Sequence, residues 1–147
     1  MDAGLTIAIV DSEVEALGVS LEASNGRFCG YVGAIYGGLD DVASLASGLA
    51  GFPATAEDAR VFELGTRDLG GVAGWARLGF RVADPAGHGV LDVQLVTTGW
   101  TGSTPGPVPE TASFSMAVEA ASVDRFVAQL RAISSVRSGV ARLESHS

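Results

Sequence analysis

Along the first forty residues the apolar side chains come in short runs with a period near two, the mark of strands. Leu5 to Val10 is apolar apart from Thr6. From Glu13 to Leu21 the positions alternate, with Glu13, Glu15, Leu17, Val19 and Leu21 on one side. Ser24-Asn25-Gly26 then predicts a hairpin turn, because Asn-Gly tolerates the positive φ angles of tight turns. The return strand, Arg27 to Tyr36, sets Phe28, Val32 and Tyr36 on one face and Cys29, Tyr31 and Ile35 on the other. Past Gly37-Gly38 the period lengthens. Leu39, Val42, Leu45, Ala46 and Leu49 recur every three or four residues and predict a helix with one buried stripe. Asp40 and Asp41 complement its N-terminal dipole, and Gly51-Phe52-Pro53 ends it.

The second half is read in the same way. Ala59 to Leu64 is a strand, and Gly70-Gly71 precedes a second one over Val72 to Ala83. There Ala76, Leu78, Phe80 and Val82 oppose Trp75, Arg77, Gly79 and Arg81. Asp84-Pro85-Ala86-Gly87 turns the chain into Val90 to Thr97, with Leu91, Val93 and Leu95 facing one way and Asp92 and Gln94 the other. After a Gly-, Thr- and Pro-rich loop from Trp100 to Glu110, Ala112, Phe114, Met116 and Val118 form the core side of another strand. Ser122 is the expected cap of a last helix, striped by Val123, Phe126, Val127, Leu130 and Ile133. Beyond Ser134 serine, arginine and glycine dominate. Residues 135–147 are therefore expected to be a flexible tail on a single domain of residues 1–134. The predicted fold is α+β: a twisted antiparallel sheet or half-barrel of about seven strands with two helices packed on it.

Composition narrows the class. With 47 % apolar and 18 % charged residues among 147, the chain can bury a core and is not a disordered polymer. No apolar run reaches the ~18 residues of a membrane span, and the acidic start lacks the basic flank of a secretory signal. The expectation is a cytoplasmic protein with no membrane partner. Seventeen acids stand against nine arginines and no lysine, for a net charge of −8. Such a field repels phosphate backbones, so nucleic acid is not an expected partner; its plainer role is solubility, and a basic protein is the partner it would steer. The lone Cys29 suits a reducing compartment and is expected to be a small buried hydrophobe.

Reactive constellations are sparse. His146 lies in the terminal segment. His88 sits in a turn with Asp84 before it and Asp92 after it, the one pairing that could move a proton. Yet Asp84 has a turn to open, and Asp92 reads as a solvent-facing strand position. One cysteine and one well-placed histidine are too few for a zinc site, and no aspartate-rich loop offers a calcium or magnesium site. Gly30, Gly33, Gly37 and Gly38 lack the Lys-Ser/Thr of a phosphate loop, and Gly-X-Ser-X-Gly is missing. No catalytic residue, metal or cofactor is assigned.

Three surface features remain. Trp75, Arg77 and Arg81 share a strand face and, if that face is open, form an aromatic–arginine patch of the kind enriched in binding hot spots. The other reading puts Trp75 under a helix and the arginines along the sheet edge. Trp100 has little local core to join. Asp11, Glu13, Glu15 and Glu22 make an acidic edge.

Between Val61 and Arg131, about half the chain, four segments carry a resemblance. They are Phe62-Glu63-Leu64, the Gly70-Gly71 opening, Gly87-His88-Gly89 leading into Val90 to Leu95, and Ser122-Val123-Asp124-Arg125-Phe126. Together they resemble small bacterial proteins of unknown function, some of them similar to the immunity proteins that accompany polymorphic toxins. The resemblance implies a compact antiparallel α+β domain and an immunity-like role, and carries over no site residue. The resulting expectation is a non-enzymatic protein-interaction domain that holds a protein partner, a basic one being what the charge would steer, by an acidic or aromatic surface, with Trp75, Arg77, Arg81 and Trp100 as the candidate binding residues. The alternative is a small-molecule-binding domain with a pocket against the sheet, lined by Trp75, Tyr31 or Trp100. A homodimer stays open.

Overall fold

The computed structural model describes residues 2–65, 74–99 and 108–146. In chain order they form β1 (Gly4–Ser12), β2 (Leu17–Ser24), β3 (Cys29–Gly37), α1 (Asp41–Leu49), β4 (Ala59–Gly65), β5 (Trp75–Val82), β6 (Gly89–Gly99), β7 (Val108–Val118), α2 (Ala120–Val136) and β8 (Gly139–Glu144). The class is α+β with two helices, as read from the sequence. The strands, however, make two four-stranded antiparallel sheets rather than one sheet of about seven, ordered β3-β2-β1-β8 and β4-β5-β6-β7. No helix among the described residues is long and apolar enough to cross a membrane.

The division follows from how the two halves exchange strands. Each half runs three strands, a helix and a fourth strand: β1, β2, β3, α1, β4 and then β5, β6, β7, α2, β8. The fourth strand of each half pairs with the first strand of the other, β4 with β5 and β8 with β1. Both sheets and both helices contribute to one apolar cluster, including Leu5, Leu21 and Leu143 from the first sheet, Leu78, Phe80 and Leu91 from the second, and Leu49 and Phe126 from the helices. The sheets approach most closely along β3. A Cβ at Gly30 would stand only 2.8 Å from Leu95 and 2.9 Å from Ala112, so that contact needs glycine.

Several local expectations hold. Asn25 and Gly26 turn β2 into β3, with Gly26 at φ +89°. The Asn25 side chain accepts the Arg27 and Phe28 N–H groups at 3.0 and 2.8 Å. The stripes of both helices and the inward positions of β6 and β7 are those read from the period.

Others need correction. Residues 13–16 are a turn closed by Glu13 N–H to Ala16 O, so β2 starts at Leu17. In β3 the faces are not a simple alternation. Gly33 and Ala34 lie opposite the single Ser20 between the pairs Leu21–Val32 and Val19–Ile35, and this bulge puts both Val32 and Ile35 into the core. Phe28, Tyr31 and Tyr36 are left exposed. Cys29, at the start of β3, is exposed rather than buried. Ser122 is not the cap: it lies inside the first turn of α2, buried, and accepts an Arg125 Nη2 bond at 3.2 Å.

The largest difference is at the C-terminus. Instead of a loose tail, α2 runs on to Val136 and is followed by β8. Arg137 in the left-handed region (φ 56°) and Gly139 (φ +112°) reverse the chain between them. Only Ala141-Arg142-Leu143-Glu144 alternates in the sequence, with the apolar Val140 on the outward side. The two inward residues, Ala141 and Leu143, are fully buried.

Candidate functional site

The expected aromatic–arginine patch does not form an open surface. Trp75 is only 2 % exposed, and Val96, its partner across β5 and β6, is buried as well. Arg81 is exposed but engaged: its Nε donates to Asp92 Oδ2 at 2.7 Å and its Nη2 to Asp92 Oδ1 at 3.3 Å. Ser115 Oγ, on the other side, donates to the same carboxylate at 2.5 Å. The Arg81 and Ser115 bonds hold the Asp92 carboxyl below its ordinary range against a partial desolvation that raises it. Arg77 is half-buried one strand from Glu63. Trp100 lies outside the described residues.

His88 meets one acid, not two. Its Nδ1 donates to Asp84 Oδ2 at 2.7 Å, and Asp84 Oδ1 accepts the Ala86 and His88 N–H groups at 2.9 and 3.3 Å. The hydrogen bond with Asp84, then its charge and that of Glu119, raise the His88 pKa above its ordinary value, and the same bond lowers that of Asp84. The pair stands in solvent at the tip of the β5–β6 hairpin, with side chains 60 % and 43 % exposed. It locks a turn. Among the described residues no three His, Cys, Asp or Glu side chains gather as a metal site would require.

A concavity among the described residues lies elsewhere, between the end of β3, the first turns of α1 and the edge strand β4. It encloses about 410 Å³ and opens to solvent. Its construction can be followed from the sequence. Arg60, on the inward side of β4, ties the far end of α1 to that strand: its Nη1 donates to Gly48 O at 3.1 Å and Ala50 O at 2.8 Å. Asp58 holds the same guanidinium at 2.8 Å, and that hydrogen bond keeps the Asp58 carboxyl below its usual range. The Arg60 guanidinium also lies over the Phe52 ring, 5.6 Å from its centroid. Phe62 then packs against Gly48 and edge-on to Phe80, with ring centroids 6.0 Å apart. The helix is thus fastened at its C-terminal end and leaves its N-terminal end standing away from β4.

In that gap Asp41 and Ser44 face Val61 and Glu63 across a floor of Leu45, Phe62 and Leu64, with Tyr36 at the side. Val61 and Tyr36 are 53 % and 54 % exposed, large apolar surfaces for a domain of this size. Asp41 Oδ2 accepts the Gly38 N–H at 3.0 Å, which leaves its other oxygen for a ligand. Among the described residues no arginine lines the cavity. Although Glu63 is the cross-strand neighbour of Arg77, no ion pair joins the two.

Sequence reasoning passed over these residues. From the sequence Asp41 belongs to the helix dipole, Tyr36 to one face of its strand, and Val61 and Glu63 to a strand with no face given, so nothing joins them into a site. The available signal was that Val61 and Glu63 are the outward positions of a strand whose inward positions are Arg60, Phe62 and Leu64. A second, smaller cleft of about 290 Å³ lies where β3 starts beside β6 and β7, lined by Cys29, Tyr31, Leu95, Thr97, Glu110 and Thr111. Comparison of the chain with family models, with curated proteins and with solved structures gives no match.

Proposed function

We propose that the protein is a non-enzymatic interaction domain, immunity-like in kind, which holds a basic protein partner at the groove between β3, α1 and β4. The observation that carries this reading is the pairing of an apolar floor with an acidic rim. Tyr36, Val61 and the half-buried Phe62 offer area for burial over the core residues Leu45 and Leu64, and Asp41 and Glu63 supply charge of the sign that the whole chain carries. Burial provides the affinity and the rim selects the sign of the partner and speeds its approach.

The test is partner capture from the native cell at low salt, comparing the wild-type chain with an Asp41→Asn/Glu63→Gln variant. Two exposed ion pairs are worth up to about 1 kcal/mol each, so the variant is expected to retain the partner about fivefold or more less well. Retention should also fall as salt rises. Salt-insensitive background, or equal retention by the variant, refutes the reading.

The second reading, small-ligand binding, is favoured by the cleft at Tyr31 and Glu110, which joins an aromatic wall to a few polar groups. A ligand held there raises the melting temperature by mass action, increasingly as its concentration exceeds its Kd, which a thermal-shift screen detects. No response to any compound class removes it.

A further inference from the structure

The two sheets present four edges, and the structure treats them differently. The phase of the antiparallel ladder is set by the Ala83 N–H to His88 O bond in the β5–β6 hairpin. Counting from it, the outward backbone groups of β7 belong to Ser113, Ser115 and Ala117, and those of β4 to Ala59, Val61, Glu63 and Gly65. The β7 count agrees with the contacts seen. Asn25 Nδ2 donates to Ser115 O at 3.0 Å, and Ser145 Oγ donates to Ala117 O at 2.6 Å. The β8 edge is closed in the same manner by Gln129 of α2, whose Oε1 accepts the Arg142 N–H at 2.7 Å. β3 is pressed against the other sheet, with its Val32 and Ile35 close to Gly74.

β4 is the exception. Among the described residues no side chain bonds the backbone of Val61 or Glu63, and those groups border the groove. The equivalent position in the other half explains the contrast. β8 lies along α2, which has 17 residues, whereas β4 has α1, with 9. At 1.5 Å per residue α1 is about 12 Å shorter, too short to cover both the Arg60 end and the Val61–Gly65 end of its strand.

Resting on the reading above, we propose that the partner contributes an extended basic segment which adds to the β4 edge as a ninth strand. It would bond the outward N–H and C=O groups of Val61 and Glu63 while its alternate side chains reach Asp41 and Glu63. An exposed strand edge is a template for such addition. The groove supplies what an edge alone lacks: apolar surface on Tyr36 and Val61, and carboxylates that select arginine or lysine over acidic segments.

The probe is an acetylated, amidated peptide, Val-Arg-Val-Arg-Val-Arg-Val, matching the seven residues of β4, together with the same peptide N-methylated at every amide. The expected result is that the methylated peptide, which keeps its charge but cannot donate, binds about tenfold or more weakly. Amide exchange at Val61 and Glu63 should slow when the unmethylated peptide is bound. Val61→Pro should also bind about tenfold less well, because its lost N–H points away from β5 and the ladder stays intact. If that variant does not fold, the wild-type exchange measurement decides. Equal affinity for the two peptides, unchanged exchange at both residues, or no binding of the unmethylated peptide overturns strand addition. Salt-sensitive partner loss in Asp41→Asn/Glu63→Gln, with strand addition refuted, would leave the acidic docking reading standing by itself.

Discussion

Leu143→Ala tests whether the C-terminus is a structural strand. Leu143 is fully buried, stands opposite Leu5 in the β1–β8 ladder, and belongs to the common apolar cluster. Truncation to alanine removes three carbon atoms. Their transfer is worth about 0.8 kcal/mol each, near 2.4 kcal/mol, and the cavity left in a packed core adds to this. We expect a loss of about 3 kcal/mol. For a domain whose whole stability is on the order of 5–15 kcal/mol, that is a large fraction.

Urea unfolding followed by circular dichroism should show the midpoint falling by about 1–2 M at an unchanged slope. Thermal unfolding should show a drop of about 6–12 °C. The internal control is Val140→Ala, on the same strand but 57 % exposed, for which the expected change is within about 0.5 kcal/mol. A flexible tail would make both substitutions silent, and a strand packed on the core makes only the buried one costly. Leu143→Ala unfolding within 0.5 kcal/mol of the wild type would refute the packing of β8 and, with it, the exchange of fourth strands that ties the halves together.

Asn25→Ala removes the acceptor of two turn N–H groups and the donor that caps the β7 edge, all at a buried side chain. It should cost about 2–3 kcal/mol in urea unfolding, and a change under 0.5 kcal/mol would show those bonds to be immaterial. For the turn lock at His88, Asp84 is lowered from 3.8 and His88 raised from 6.5. The Asp84 contribution is present above 3.8 and lost as pH falls through its lowered value. The His88 contribution is present below 6.5 and lost as pH rises through its raised value, so the pair is fully formed between pH 3.8 and 6.5. An NMR titration should find His88 above 6.5 and should find Asp84→Asn returning it toward that value. A titration unmoved by Asp84→Asn would sink this account.

What could be read from the chain depended on how local its cause was. The Asn25-Gly26 hairpin, the α1 stripe from Val42 to Leu49 and the inward Leu91, Val93 and Leu95 were legible because each rests on neighbours a few residues apart. The β3 bulge was not. An extra residue at Gly33-Ala34 is defined only against Ser20 on the partner strand, and a period count along one strand cannot see it. Trp75 failed for a related reason: alternation gives its face correctly beside Arg77, but whether that end of the face is covered is a property of packing. The C-terminal strand was lost to composition, because six residues with Gly, Arg and Glu among them are too short for a period to outweigh a polar neighbourhood.

The two halves share an order of three strands, a helix and a fourth strand without sharing repeated residues, and the structure gives the reason. What recurs is the order of hydrogen-bonded neighbours, with β4 handed to β5 and β8 handed back to β1, and many sequences satisfy such an order. The halves were therefore free to differ in everything except pairing, and they differ most in their helices. A long α2 spans its edge strand and carries Gln129 to close it. A short α1 is clamped at one end by Arg60, and among the described residues no side chain bonds the outward backbone of Val61 or Glu63. Every other edge is closed by a side chain or by the facing sheet, at positions as far apart as Asn25, Gln129 and Ser145. Closing these edges, β7 and β8 by side chains and β3 by the facing sheet, guards them against stray strand pairing. On the proposal above, the β4 edge, which no described side chain closes and which Asp41 and Glu63 border, is the one that takes the partner's strand.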